Sequence, residues 1–296
     1  MPNRSEWPVG EPQELDFDPV THLEVRVVSG TVNIVGTDPA AGTGARLEVT
    51  AIKGPPLRVT LADGALTVAY EDLGWQGFRE WLDHGRPSRS VDLTLAVPAG
   101  TEVAVGSVAA ATVVSGVEGG TRVRGVTGDT TLVGLAGPVR TDTVSGSVEA
   151  QGVTGTLRFT SVSGDLTVVD GGPAVSGNSV SGSMVVDLAA PDASSPAGPP
   201  TALTLNSVSG DLAVRIPEPA DTTVEVNTTG GAVSCAFDGL RRHRRWGANR
   251  LTGSLGPGSG SLRATTVSGA VALLRRPPAP DGTTAPAEAT SLRKDV

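Results

Sequence analysis

The sequence predicts an all-β solenoid with coils of about 18 residues, capped and interrupted by loop or helix insertions. Three observations carry that expectation. Glycine (39) and proline (22) make up about a fifth of the 296 residues, against a usual share near ~12%. Valine is abundant while Trp (4), Tyr (1) and Phe (4) are few, which suits short strands better than a core of large rings. Finally, Val-Ser-Gly recurs at 28–30, 114–116, 144–146, 162–164, 180–182, 208–210 and 267–269, with Val-Thr-Gly at 126–128 and 153–155.

The recurrence has a period. Gly128, Gly146, Gly164 and Gly182 stand 18 residues apart. Other rows keep the same step: Val126, Val144, Val162, Val180; Thr130, Val148, Leu166, Met184; Leu132, Ala150, Val168, Val186; and Val139, Leu157, Val175. Alternation within a segment, as at Val148 and Ala150, is a strand signal. Stacked coils would bring equivalent residues to ~4.8 Å, so these rows are expected to form inward apolar ladders. Gly119, Gly137 and Gly155 lie nine residues from the main glycine row, predicting two short strands and two tight turns per coil. The position after the main glycine reads Asp129, Ser147, Asp165, Ser183. That alternation would hold the carboxylates ~10 Å apart, where salt screens their repulsion.

Breaks in the period mark insertions near 71–90, 190–201 and 238–257. The step from Gly182 to Gly210 is 28, with a proline-rich surplus at 191–200. From Gly210 to Gly230 it is 20, and from Gly230 to Gly269 it is 39. Alternating segments at 23–28, 31–35, 47–53, 57–61, 66–70 and 91–97 extend the strand pattern toward the N-terminus. Residues 1–14 read as an N-terminal extension, 15–275 as the solenoid and 276–296 as a disordered Pro/Ala/Thr-rich tail.

Charge and motifs exclude several functions. A net charge of −8 gives no global attraction for nucleic acid. The longest uncharged stretch, 103–117, is shorter than the ~20 residues a membrane helix needs. The first ten residues lack the apolar centre of a secretory signal, predicting a cytoplasmic protein, at most peripheral to the membrane. Cys235 is the sole cysteine, which excludes an internal disulfide and a cysteine-based zinc site; it is expected to be a small buried hydrophobe. His22, His84 and His243 are far apart, and neither a phosphate-binding glycine loop nor a hydrolase motif is present. No cofactor or metal is expected.

Several segments together resemble a known family. Asp92-Leu-Thr-Leu-Ala-Val-Pro-Ala-Gly-Thr-Glu-Val103 precedes the Val-Ser-Gly repeats. Arg215-Ile-Pro-Glu-Pro-Ala-Asp-Thr-Thr-Val-Glu-Val226 and Thr266-Val-Ser-Gly-Ala-Val271 follow. Over roughly residues 20–275 the chain looks like the bacterial "putative adhesin" family of β-strand repeat proteins, domain of unknown function 4097. The resemblance implies a right-handed β-helix-like solenoid, no established catalytic residues and an association with the cell envelope.

Candidate contact residues lie where the repeat breaks. In 70–86, Trp75, Phe78 and Leu82 would share one face of a short helix, with Trp81 beside them. Such a helix covers the end of a solenoid or offers an aromatic platform to a sugar polymer or protein. Arg241, Arg242, Arg244 and Arg245 with Trp246 form a cationic run that could grip an anion or an acidic face of the same chain. The expected function is a non-enzymatic scaffold or binding protein with a protein or polysaccharide partner, and self-association through the solenoid ends. The alternatives are a carbohydrate-active β-helix enzyme using Asp129, Asp165 or Asp211, and an anion-binding module on the arginine run.

Overall fold

The computed structural model describes residues 4–38, 40, 42–70, 89–190, 200–245 and 247–276. Among these, the regular elements are all strands: 24 of them in one mostly parallel sheet, with no α-helix. The N-terminal strands are β1 (Arg4–Val9), β2 (Gln13–Phe17), β3 (His22–Thr37), β4 (Ala45–Lys53), β5 (Leu57–Ala62), β6 (Ala65–Ala69), β7 (Ser90–Pro98) and β8 (Glu102–Ser115). Short strands follow as β9 (Thr121–Arg124), β10 (Thr130–Val133), β11 (Val139–Asp142), β12 (Val148–Gln151), β13 (Leu157–Thr160), β14 (Leu166–Gly171), β15 (Ala174–Asn178) and β16 (Met184–Leu188). The last group is β17 (Ala202–Asn206), β18 (Leu212–Ile216), β19 (Thr222–Thr228), β20 (Val233–Cys235), β21 (Arg241–Arg245), β22 (Ala248–Leu255), β23 (Gly260–Thr266) and β24 (Val271–Arg275).

From β9 to β16 each strand pairs in parallel with the strand two places on. The odd-numbered strands make one ladder and the even-numbered strands the other. Val139 lies opposite Leu157 and Val148 opposite Leu166, so the period of 18 read from the sequence is the register of both ladders. The long strand β8 starts both: Val103 pairs with Thr121 of β9, and Thr112 with Thr130 of β10. Strand β3 runs beside β8 and takes β6 and β7 on its other edge. Antiparallel strands extend this end, β5 and β1 beyond β6, and β4 and β2 beyond β7. The region read as an N-terminal extension thus includes β1 and part of β2.

The other end departs from chain order. Leu203 of β17 pairs with Leu262 of β23, and Leu262 pairs with Val224 of β19. Likewise Leu212 of β18 pairs with Val271 of β24, which pairs with Val233 of β20. The segment 260–275 is therefore inserted between 202–216 and 222–235. This explains the irregular glycine steps and corrects one assignment. The stacked glycines are Gly210, Gly269 and Gly231, in that order, and Gly230 lies outside the column.

The inserted segment is held at both ends. Arg276 pairs with Asp170 and Asp187 and donates to the Leu188 carbonyl at 2.7 Å. At the entry, Asp221 accepts the Ser259 hydroxyl and the backbone N–H groups of Ser259 and Gly258. Hydrogen bonding from Ser259, then from Gly258, lowers the Asp221 pKa below its usual carboxylate value. A lowered folded-state pKa stabilises above the unfolded value and is lost as pH falls through the folded one. Asp221→Asn should therefore lower the melting temperature at neutral pH, and the difference from wild type should shrink below the ordinary aspartate pKa. A difference independent of pH would contradict that role.

Three of the expected rows face inward. Thr130, Val148, Leu166 and Met184 are buried, as are Leu132, Ala150, Val168 and Val186, and Val139, Leu157 and Val175. The valine row does not, apart from Val126, which is half-buried against the core. Val144 is 45% exposed, Val162, Val180 and Val267 are 50% and Val208 is 48%. The unit here is a four-residue turn, Ser/Thr-Val-Ser-Gly. The Ser161 hydroxyl accepts the Gly164 N–H at 2.7 Å, and Ser179 and Ser207 do the same for Gly182 and Gly210. The first and fourth residues point in, so the valine and second serine between them must point out. The second serine turns back: Ser163 and Ser181 donate to the carbonyls of Val144 and Val162 in the preceding repeat. At 28–30 the same tripeptide lies within β3, and at 114–116 it ends β8; Val28 and Val114 are buried.

Candidate functional site

The sequence-predicted contact residues divide into two sets. Trp75, Phe78 and Trp81, with the helix expected around them, lie outside the described residues, as does Trp246. Arg241, Arg242, Arg244 and Arg245 belong to strand β21, which pairs antiparallel with β22 in a hairpin on β19. The expected loop at 238–257 is thus largely an edge hairpin. Arg241, Arg242 and Arg244 are exposed and make no ion pair with a described residue. A run of charge on the outermost strand discourages edge-to-edge pairing with another sheet. Beside it, Glu225 holds Arg250 at 2.9 Å and Arg263 at 3.0 Å. Cys235 is half-buried, not buried, because β20 ends there; its sulfur accepts the Phe237 N–H at 3.3 Å.

The regularly spaced carboxylates have backbone partners. Asp129 accepts the Ser147 N–H at 2.9 Å, Asp165 the Ser183 N–H at 2.7 Å and Asp211 the Ala270 N–H at 2.7 Å. Each caps a residue in the neighbouring repeat. Asp129 and Asp165 are separated by two strand spacings, ~10 Å. Among the described residues, no group of three His, Cys, Asp or Glu could hold a metal ion. Nor is any described helix long and apolar enough to cross a membrane.

Sequence reasoning missed a cationic column. On the outer face of the odd-numbered ladder, Arg122, Arg140 and Arg158 are direct register partners on β9, β11 and β13. Their step of 18 was visible in Thr-Arg-Val-Arg, Val-Arg-Thr-Asp and Leu-Arg-Phe-Thr. All three are exposed, and they line a shallow trough of about 570 Å³ that also touches His22, Glu102 and Pro138. Asp142 binds Arg140 through two hydrogen bonds, 2.9 and 3.1 Å, and lies 3.8 Å from Arg124. Beyond Asp142 the next column runs Thr160, Asn178, Asn206, Thr265, Asn227. Asn206 donates to Asn178 at 3.0 Å. The outer face of the other ladder is more apolar, with Val133, Val169 and Val185 all partly exposed.

No protein-family model matches the chain, and no curated protein matches it. Several solved structures are similar to it. A "putative cell adhesion protein" from Clostridium sporogenes aligns over 93% of this chain and 100% of its own, with 11% identity and a TM-score of 0.29. A "putative lipid binding protein" from Parabacteroides distasonis aligns over 90% and 98%, with 11% identity and a TM-score of 0.37. A "putative adhesin" from Parabacteroides merdae aligns over 90% and 97%, with 10% identity and a TM-score of 0.31.

Proposed function

We propose that this chain is a non-enzymatic scaffold or binding protein of the adhesin type, linked to the cell envelope. In this reading the two ladders are opposite faces of one right-handed β-helix-like solenoid with coils of about 18 residues. The observation that carries the reading is the shared register of the ladders, which sets the outward side chains of successive strands in straight columns. Rigid repeated faces suit contact with an extended partner. The commitment of Asp129, Asp165 and Asp211 to backbone N–H groups also supports a binding role over acid–base chemistry.

Two measurements test it. Incubation with a panel of cell-envelope polysaccharides should release no product, measured as new reducing or unsaturated ends. Product that disappears in Asp129→Asn or Asp165→Asn would overturn the non-enzymatic reading. Fractionation of native cells should place the untagged protein with the envelope, released by a high-salt wash. A purely cytosolic signal would remove the envelope link.

A further inference from the structure

We propose that the outer face of the odd-numbered ladder binds an acidic polysaccharide through Arg122, Arg140 and Arg158. The proposal rests on the binding-protein reading above and names its partner. Within the column three guanidinium groups, Arg122, Arg140 and Arg158, face one carboxylate, Asp142, leaving an excess of two positive charges in a protein of net charge −8. Arg122 and Arg158 make no ion pair with a described residue. Of the nearby carboxylates, Glu24 is paired with Arg26 at 2.9 Å, and Glu102 lies 3.4 Å from the His22 imidazole at the rim of the trough. The unpaired Arg122 and Arg158 stand two strand spacings apart, ~10 Å, on a straight column with Arg140 between them. Such a row suits a linear polymer carrying a carboxylate on successive units, since a guanidinium matches a carboxylate bidentately.

The neighbouring groups select among polyanions. Past Arg158 the cationic column continues as Ser176 and Thr204, beside the amide and hydroxyl column of Asn178 and Asn206. These groups hydrogen-bond well to sugar hydroxyls. No aromatic residue occupies either outward column from β9 to β23, so the face lacks the stacking platforms of single-stranded nucleic-acid sites. It also lacks the buried aromatic anchors typical of protein hot spots.

The test measures binding of the full chain to polygalacturonate at low and physiological salt, with neutral dextran and phosphatidylglycerol vesicles as comparisons. Polygalacturonate should bind in a salt-sensitive way, and dextran should not. Arg122→Gln/Arg158→Gln should weaken binding about tenfold to a hundredfold and flatten its salt dependence. Both residues are exposed, so the melting temperature should hold. Asp142→Asn should tighten binding several-fold by freeing Arg140. Arg241→Ser/Arg242→Ser/Arg244→Ser should bind like wild type. Failure to bind polygalacturonate, equal binding by the double arginine variant, or binding to vesicles alone would overturn the proposal. Loss confined to the hairpin variant would overturn it as well. None of these results yields a reaction product, so each leaves the non-enzymatic reading standing.

Discussion

Gly182→Ala should destabilise the protein by about 3 kcal/mol, a severe effect for one methyl group. A Cβ at Gly182 would lie 2.0 Å from the Gly164 carbonyl oxygen. The same close approach recurs up the column, at 2.1 Å for Gly164 on Gly146 and 1.9 Å for Gly210 on Gly182. The obstacle is the backbone of the preceding repeat, which cannot yield without disturbing the ladder. A loss of that size corresponds to roughly 5 °C in melting temperature for a chain of this length. Gly100→Ala is the control, because nothing lies within 4 Å of its Cβ, and it should change stability by less than about 0.5 kcal/mol. Gly134→Ala should fall between them: its Cβ meets open space, but a φ of 60° costs an alanine about 1 kcal/mol. Thermal unfolding of the three variants measures this order. Equal melting temperatures for Gly182→Ala and Gly100→Ala would refute the tight column.

Removing 139–156, one whole repeat, should leave a folded protein. Pro138 would then join Leu157 where Thr156 does now, and β9 and β10 could pair with β13 and β14 in the same register. The loss should be roughly 1–3 kcal/mol, the ordinary share of that many residues. Removing only 139–147 should be far worse. It places β12 in the ladder of β11 and exchanges the two kinds of turn. Both turns hold a glycine in close backbone approach, Gly164 in one and Gly155 in the other, but only the second also needs one at positive φ, Gly152 with 63°. Cooperative unfolding and soluble yield separate the outcomes. Two deletions of equal stability would mean that the register does not specify the fold.

Much of this architecture was legible because the signal repeats. A step of 18 in Gly146, Gly164 and Gly182 is strand register once the strands are parallel, and apolar rows such as Leu166 and Met184 followed from it. Val162 misled because hydrophobicity predicts burial only where alternation holds, and a turn breaks alternation. The place of 260–275 was hidden for another reason: periodicity records the distance between similar segments, not which of them are neighbours. Arg122, Arg140 and Arg158 share the period but not the composition of a familiar motif. The run at 241–245 drew attention by density, whereas the column is dense only after folding.

The insertion of β23 and β24 bears on how the chain is made. A ribosome delivers 222–235 before 260–275, so β17 to β20 are all made while the strands that separate them in the fold are still unsynthesised. Both tiers carry a Ser/Thr-x-x-Gly corner, at 207–210 and 228–231. They can therefore stack directly, as a shortened stack one tier too small. The native order instead places the late segment between them, with Arg276 fastening it to Asp170 and Asp187. The last tier to be made is thus a keystone, with strands synthesised earlier on both sides of it.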